Sequence, residues 1–220
     1  MKNKNLKLIY CYDAYCGWCY GFSKVMQQIA ESYKDVFEIE VLSGGMILDE
    51  PYRPIGAMAK YIQSAYKQVE EFTGMKFGEG FLHHIFHPEE STLKLHSEKS
   101  SIALLILKEY HPEKAVAMAA AIQQLFNVEG LDLTEEESYQ KALAKYSIPT
   151  DEFYRKLHSN TYRENAYYEF QLVKQLRVTS FPQVLLQVDD SKFYLAAKGY
   201  TDYATLNATL NSILKEIKNT

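Results

Sequence analysis

Strand-like patterns stand at the two ends of this 220-residue chain, with a long stretch between them that lacks such patterns. Near the start, residues 6–12 form a short apolar run, and residues 36–42 alternate between apolar and polar side chains. Near the end, residues 182–188 and 192–197 are separated by three polar residues, as in a hairpin. Helical spacing follows the first strand and the last. The chain is therefore predicted to form a mixed four-stranded sheet, with its first two strands parallel and its last two antiparallel.

The stretch between the two groups of strands carries helical patterns, at residues 56–69, 97–110 and 113–127 among others. This order predicts an α/β fold interrupted by a large all-helical insertion. The predicted division is a sheet-containing domain of residues 1–45 and 165–220 and an inserted helical domain of residues 46–164.

The composition excludes several classes of protein. Hydrophobic residues make up 47% and charged residues 24%, which is an ordinary globular balance, and the formal net charge is -4. The sequence lacks the basic stripe that would predict a nucleic-acid partner. It also lacks a run of about 20 apolar residues, which would predict a membrane span. The apolar run near the start is too short for a signal peptide, so a cytoplasmic location is expected.

All three cysteines, Cys11, Cys16 and Cys19, lie within nine residues of one another. Their spacing matches three of the four ligands of a plant-type iron–sulfur centre, but the chain has no fourth cysteine. A zinc site would need a histidine from the insertion, where the candidates are His83, His84, His87 and His96. Because Cys11 falls inside a predicted strand, no metal is expected at these cysteines.

Cys16-Gly17-Trp18-Cys19 is a C-x-x-C motif that follows a predicted buried strand and opens a predicted helix. The free amides and the dipole at a helix N-terminus favour an anion, and a thiolate is such an anion. One helical turn brings the second cysteine close enough to resolve a mixed disulfide. The motif in this setting predicts redox chemistry, with Cys16 as the attacking thiol and Cys19 as the resolving thiol. Neither Gly17 nor Trp18 adds charge, and both are expected to tune the thiolate.

Three neighbouring side chains each have two interpretations. Cys11 is predicted to be a buried core residue, and the alternative is a third redox thiol. Asp13 is either a loop-capping residue or a proton acceptor that tunes the site. Trp18 either packs at an exposed rim or binds apolar substrate surface.

A second motif, Val178-Thr179-Ser180-Phe181-Pro182, stands just before the third predicted strand. The strand after the insertion is expected to run beside the first helix, which would place a cis Pro182 next to Cys16. Phe181 would then offer its backbone groups to an extended peptide by strand addition. The alternative interpretation is that Pro182 has only a structural role at the start of a strand, a position where proline is tolerated.

Together these features resemble the DsbA-like branch of the thioredoxin superfamily. The residues that carry the resemblance are the segment from Tyr12 to Phe22, the Gly44-Gly45-Met46 turn and the motif ending at Pro182. Within that branch the chain is most similar to the cytoplasmic FrnE-type subgroup of disulfide oxidoreductases and isomerases. The resemblance implies a thioredoxin fold, the attacking and resolving roles of Cys16 and Cys19, and a cis Pro182 facing them.

The resemblance also implies a thiol–disulfide oxidoreductase that acts on protein or small-molecule thiols and disulfides. It needs no metal or nucleotide cofactor, allows glutathione as a co-substrate, and is recycled by a reductase or by glutathione. A second interpretation is a glutathione-dependent isomerase or transferase of small aromatic molecules, like the hydroxychromene carboxylate isomerases, with tyrosines of the insertion walling a pocket. A third is a redox-independent chaperone.

Overall fold

The computed structural model describes residues 6–219 of the chain. The nine α-helices and six strands of this described part follow one another much as the sequence patterns predict. In chain order they are β1 (Lys7–Tyr12), α1 (Gly17–Ser32), β2 (Glu38–Ser43), β3 (Arg53–Pro54), α2 (Gly56–Thr73), α3 (Glu79–Phe86), β4 (Lys94–Leu95), α4 (Ser97–Tyr110), α5 (Ala115–Asn127), α6 (Gln140–Tyr146), α7 (Thr150–Leu157), α8 (Asn160–Gln175), β5 (Gln183–Gln187), β6 (Phe193–Lys198) and α9 (Tyr203–Lys218).

The main sheet has four strands in the order β2-β1-β5-β6. Strand β1 pairs in parallel with β2, to which α1 connects it, and antiparallel with β5. Strands β5 and β6 form the antiparallel hairpin. The predicted mixed four-stranded sheet is therefore confirmed, and β1 lies at its interior with its backbone paired on both sides.

The two faces of β1 enter two different apolar clusters, as the two-residue period of a strand requires. Leu8, Tyr10 and Tyr12 join the main core together with residues of α1 and α9. Ile9 and Cys11 belong to a smaller cluster with residues of α8. Because both faces are buried after Lys7, residues 8–12 are apolar without interruption, and they form the short apolar run seen in the sequence.

The insertion is helical, with one addition that the sequence does not predict. Arg53 pairs with Leu95, and Pro54 pairs with Lys94, in a two-stranded ladder of β3 and β4. Strands of two residues are too short to leave an alternating pattern. Residues of the insertion share the main core with those of the sheet, and α8 runs across position 165, where the predicted domain boundary lies.

Within residues 6–219, no helix combines the length and the apolar character that a membrane crossing requires.

Candidate functional site

Cys16 is the N-cap residue of α1 and lies where β1 ends and the helix begins. Its backbone amide donates to the carbonyl oxygen of Asp13 at 3.2 Å, which closes the turn between the two elements. Its Sγ atom accepts a hydrogen bond from the backbone amide of Cys19 at 3.3 Å. The Cys16 sulfur therefore satisfies one of the free amides of the helix N-terminus, in the position where a thiolate gains most from the helix dipole.

Cys19 lies one turn further along α1 and is completely buried. Burial raises the pKa of the Cys19 thiol well above its ordinary value, and its hydrogen bond with the Cys16 thiol raises that pKa further. Cys16 is 7% exposed, whereas Cys19 is 0% exposed. The two thiols are free in this structure. Of the two sulfurs, only that of Cys16 is open to an incoming molecule.

The Phe181–Pro182 segment lies against Cys16 from the other end of the chain. The thiol of Cys16 donates to the carbonyl oxygen of Phe181 across 3.6 Å. The peptide bond between Phe181 and Pro182 is cis. The carbonyl oxygen of Pro182 accepts from the amide of Gly199 at 2.8 Å, which ties this segment to the end of β6.

The ring of Phe181 is seated on Gly44, at the turn that follows β2. A Cβ atom added to Gly44 would lie 1.9 Å from the Cζ atom of Phe181, so only glycine leaves room for the ring. The amide of Gly44 donates to the carbonyl oxygen of Tyr12 at 2.8 Å, which continues the pairing of β1 and β2. Phe181 therefore uses its side chain for anchoring and presents its backbone to Cys16.

Gly17 and Trp18, the two residues between the cysteines, face a wall of aromatic side chains. The Trp18 ring meets Phe72 edge-on with centroids 6.3 Å apart, and it lies 6.5 Å from the ring of Tyr200. A Cβ atom on Gly17 would lie 3.5 Å from the Phe77 ring. Trp18 is half-buried, so part of its surface remains available at the rim of the site.

A pocket of about 360 Å³ opens beside Cys16, between the start of α1 and the helices of the insertion. The seventeen residues that line it include no charged side chain. Helix α2 supplies one wall, and α3 and α5 supply another. Aromatic residues of these walls are Tyr61, Tyr66, Phe77, Phe81 and Phe126. The pocket is suited to an apolar group placed next to the Cys16 sulfur.

Asp13 lies beneath the C-x-x-C turn and is buried. Its carboxylate accepts from the amide of Tyr15 at 3.0 Å and from that of Met46 at 2.8 Å. Burial raises the pKa of Asp13, although the hydrogen bonds to its carboxylate and the nearby His96 lower it in part. Asp13 thus joins the turn before Cys16 to the loop after β2.

Replacing Asp13 by asparagine is expected to lower the free energy of unfolding by about 1–3 kcal/mol, because one of the two bonded amides would face an NH₂ group. The loss should depend on pH. Since the pKa of Asp13 is higher in the folded chain than in the unfolded chain, the wild type loses stability as pH rises through that raised value, and the variant does not. Denaturant unfolding at several pH values should therefore show the largest difference at acid pH. An equal difference at every pH would contradict this account.

Cys11, His83 and His84 lie apart from this site, whereas His96 lies near Asp13. Cys11 is buried in the cluster on the other face of the sheet, and burial raises the pKa of its thiol to about 12. This agrees with its prediction as a core residue. His83 and His84 lie on α3, and His96 is buried against the ring of Tyr52 with centroids 4.3 Å apart.

Among the described residues, the side chains close enough together to hold a metal ion lie away from the cysteines. His87, Glu89 and Glu90 are a group whose donor atoms lie within 4.8 Å of one another, and all three are exposed.

The structure brings the predicted site residues into one place. Cys16, Cys19 and Trp18 share the first turns of α1, Asp13 supports that turn, and the segment Phe181–Pro182 faces it. The catalytic and binding roles assigned to them remain predictions. Sequence reasoning missed Gly44 as the seat of Phe181, and no local pattern could have indicated it. One feature of the sequence, the tyrosine content of the insertion, pointed to the aromatic side chains that line the pocket.

A mixed sheet whose first strand leads into a C-x-x-C helix, with a cis proline opposite, defines a thioredoxin-fold protein. The family model of the DSBA-like thioredoxin domain matches residues 7–211. The chain therefore belongs to the DsbA-like family, whose members include thiol–disulfide oxidoreductases and isomerases. No relative is found among curated protein sequences.

Solved structures share this fold over nearly their whole length. A candidate protein disulfide isomerase from Nitrosomonas europaea is 23% identical, with a TM-score of 0.81, and the match covers 96% of this chain and 98% of that one. The cytosolic disulfide reductase DsbM from Pseudomonas aeruginosa is 21% identical, with a TM-score of 0.76 and coverage of 95% and 98%. A 2-hydroxychromene-2-carboxylate isomerase is 12% identical, with a TM-score of 0.64 and coverage of 97% and 98%. At these identities the likeness concerns the fold alone.

Proposed function

We propose that this chain is a thiol–disulfide oxidoreductase that exchanges disulfides through Cys16 and Cys19. The observation that carries the proposal is the placement of the Cys16 sulfur, which is bonded to a helix N-terminal amide and lies next to a second thiol. The Cys16 thiolate attacks a substrate disulfide, forming a mixed disulfide and releasing one substrate thiolate. The Cys19 thiolate then attacks the Cys16 sulfur, which releases the second substrate thiolate and leaves Cys16–Cys19 oxidised. Run in reverse, the same steps oxidise a dithiol.

Phe181, Pro182 and Trp18 are proposed to bind the substrate. In the described state the Phe181 carbonyl oxygen accepts from the Cys16 thiol. Once Cys16 is a thiolate it has no proton to donate, so this oxygen becomes free to accept from an extended substrate chain. The exposed part of Trp18 would cover apolar substrate surface. Gly17 and Asp13 are proposed to tune the thiolates through the shape of the turn and through charge.

Glutathione is proposed as the thiol that recycles the protein, or as a co-substrate. The fold is shared with the Pseudomonas aeruginosa disulfide reductase DsbM. The structure of DsbM with glutathione is similar to this chain at a TM-score of 0.74 and 21% identity. A cytosolic place of action is part of the proposal, since that protein is described as cytosolic.

The proposal predicts that Cys16 and Cys19 form an intramolecular disulfide in graded glutathione redox buffers. Thiol trapping of quenched samples measures the oxidised fraction at each buffer ratio. A midpoint of about -270 mV, as in thioredoxin, would assign the protein to the reductases, and one of about -120 mV, as in DsbA, to the oxidants or isomerases. If Cys16 only accumulates a glutathione adduct and no Cys16–Cys19 disulfide forms, the proposal is wrong.

A second candidate function is favoured by the pocket beside Cys16. Its uncharged, aromatic lining and its volume of about 360 Å³ suit a small aromatic molecule. The chain would then be a glutathione-dependent isomerase or transferase in which Cys16 holds or activates glutathione. That chemistry needs no second thiol, so replacement of Cys19 separates the two candidates.

A further inference from the structure

Tyr10 is a buried tyrosine on β1 whose hydroxyl group lies directly under the C-x-x-C turn. The hydroxyl donates to the carbonyl oxygen of Cys19 at 3.5 Å. The ring is held from two sides, by Phe22 edge-on with centroids 5.9 Å apart and by Tyr12 at 5.7 Å. Only 1% of the residue is exposed, so the hydroxyl has no access to bulk water.

This hydroxyl group stays protonated, and of the two active-site thiols it interacts more strongly with that of Cys19. Burial raises the pKa of Tyr10 well above its usual value, and negative charge on Cys19 or Cys16 raises that pKa further. A phenol in such surroundings is a hydrogen-bond donor at every physiological pH and does not serve as a base. Tyr10 is therefore suited to stabilise an anion and unsuited to remove a proton.

Disulfide exchange creates an anion at this place. When an incoming thiolate attacks the Cys16 sulfur of the Cys16–Cys19 disulfide, the bond between the two cysteines breaks and its electron pair leaves on Cys19. Burial disfavours that thiolate, and the carboxylate of Asp13 disfavours it further through charge repulsion. A backbone hydrogen bond from Asp13 acts in the opposite direction. Other polar groups that act on Cys19 include the Cys16 sulfur and the buried phenols of Tyr10 and Tyr12.

We propose that the Tyr10 hydroxyl group turns from the carbonyl oxygen of Cys19 to the Cys19 sulfur and stabilises the thiolate by a hydrogen bond. The inference rests on the proposed exchange reaction. Rotation of the hydroxyl gives up little hydrogen-bond energy, because the present bond of 3.5 Å is long for an O–H donor. The carbonyl oxygen keeps a partner, because it lies within α1 and also accepts a helical amide. No proton is transferred from Tyr10. In the reverse direction, the same bond holds the Cys19 thiolate that attacks the mixed disulfide.

The test is the Tyr10→Phe variant, which removes the hydroxyl and keeps the ring. The oxidised protein is mixed with excess dithiothreitol, and the fluorescence of Trp18, the single tryptophan of the chain, follows reduction of the disulfide. Loss of a hydrogen bond to a charged group corresponds to a rate about 10- to 100-fold lower. Reaction of reduced Cys16 with glutathione disulfide, measured in the Cys19→Ser background, should have the same rate with and without Tyr10→Phe.

Tyr139→Phe is the matched control. Tyr139 is also fully buried, and its hydroxyl donates to the carbonyl oxygen of Leu133 at 2.7 Å, away from the cysteines. This control should lose stability and keep the exchange rate. The inference is overturned if Tyr10→Phe slows exchange no more than the control does, or if it slows the reaction of Cys16 equally in the Cys19→Ser background.

Two further measurements distinguish failure of this inference from misfolding of the variant and from failure of the proposed function. If Tyr10→Phe does not fold, 3-fluorotyrosine at position 10 retains the shape and is a stronger donor, so it should speed reduction; an unchanged or lower rate would overturn the inference. Failure of the proposed function shows itself differently, because the wild type would then form no Cys16–Cys19 disulfide to reduce.

Discussion

Replacement of Cys19 by serine is expected to stop turnover and to trap the protein as a mixed disulfide on Cys16. The variant keeps the Cys16 sulfur at the helix N-terminus, beside the pocket, so the first attack still takes place. A serine hydroxyl does not attack the resulting disulfide, because it is not ionised at neutral pH and is a poor nucleophile without an adjacent base. Incubation with glutathione disulfide followed by intact-protein mass spectrometry should show one glutathione per chain, while the rate of insulin reduction falls to the uncatalysed background.

Two other cysteine variants serve as controls for this result. Cys16→Ser should form no adduct and have no activity. Cys11→Ala should keep the activity, because Cys11 is buried in the cluster on the opposite face of the sheet. Catalysis that persists in Cys19→Ser with a small aromatic substrate and glutathione would instead favour the isomerase candidate. Suppression of aggregation by the double variant of Cys16 and Cys19 would indicate a chaperone activity that is independent of redox chemistry.

Replacement of Glu169 by glutamine is expected to lower the free energy of unfolding by about 3 kcal/mol or more, because it leaves the partly buried Lys108 without its counter-charge. The carboxylate accepts from the ammonium group of Lys108 at 2.6 Å and from the amide of Ser43 at 2.9 Å. Lys108 also donates to the carbonyl oxygen of Val41 at 2.7 Å, so the pair joins α4 and α8 to the end of β2. Their side chains are 16% and 8% exposed. Burial raises the pKa of Glu169, while Lys108 and the Ser43 amide lower it, so its charge depends on these partners.

The effect is measured by denaturant unfolding, with Glu31→Gln as the matched control. Glu31 pairs with Lys34 at 2.5 Å, but the two side chains are 75% and 60% exposed. An exposed pair contributes about 0–1 kcal/mol, so the control should unfold almost like the wild type. Replacing both Lys108 and Glu169 by methionine should restore stability relative to either single change, because no unpaired charge stays buried. Equal losses in Glu169→Gln and Glu31→Gln would contradict this account of the pair.

Much of the fold could be predicted because it depends on patterns between near neighbours in the sequence. The apolar run of β1, the alternation in β2 and the polar connection between β5 and β6 specify strands through the two-residue period. The linkage of β1 and β2 through a helix requires a parallel pair, and the short hairpin requires an antiparallel one. The C-x-x-C spacing likewise places both thiols on one turn of α1. These features are local, and they led to the family resemblance and to the roles predicted for both cysteines.

Other features depend on residues that no local pattern connects. The Phe181 carbonyl oxygen contacts the Cys16 sulfur across 165 positions of sequence. The Phe181 ring packs on Gly44, which is also far from it in the sequence. The uncharged pocket requires α2, α3 and α5 to close over the start of α1, and the Tyr10 hydroxyl reaches Cys19 only because β1 lies beneath that helix. The sequence by itself therefore determined which groups are expected to react. The tertiary structure decided what surrounds them, because packing between distant segments sets burial, charge and access, and those contacts leave no periodic signal in the chain.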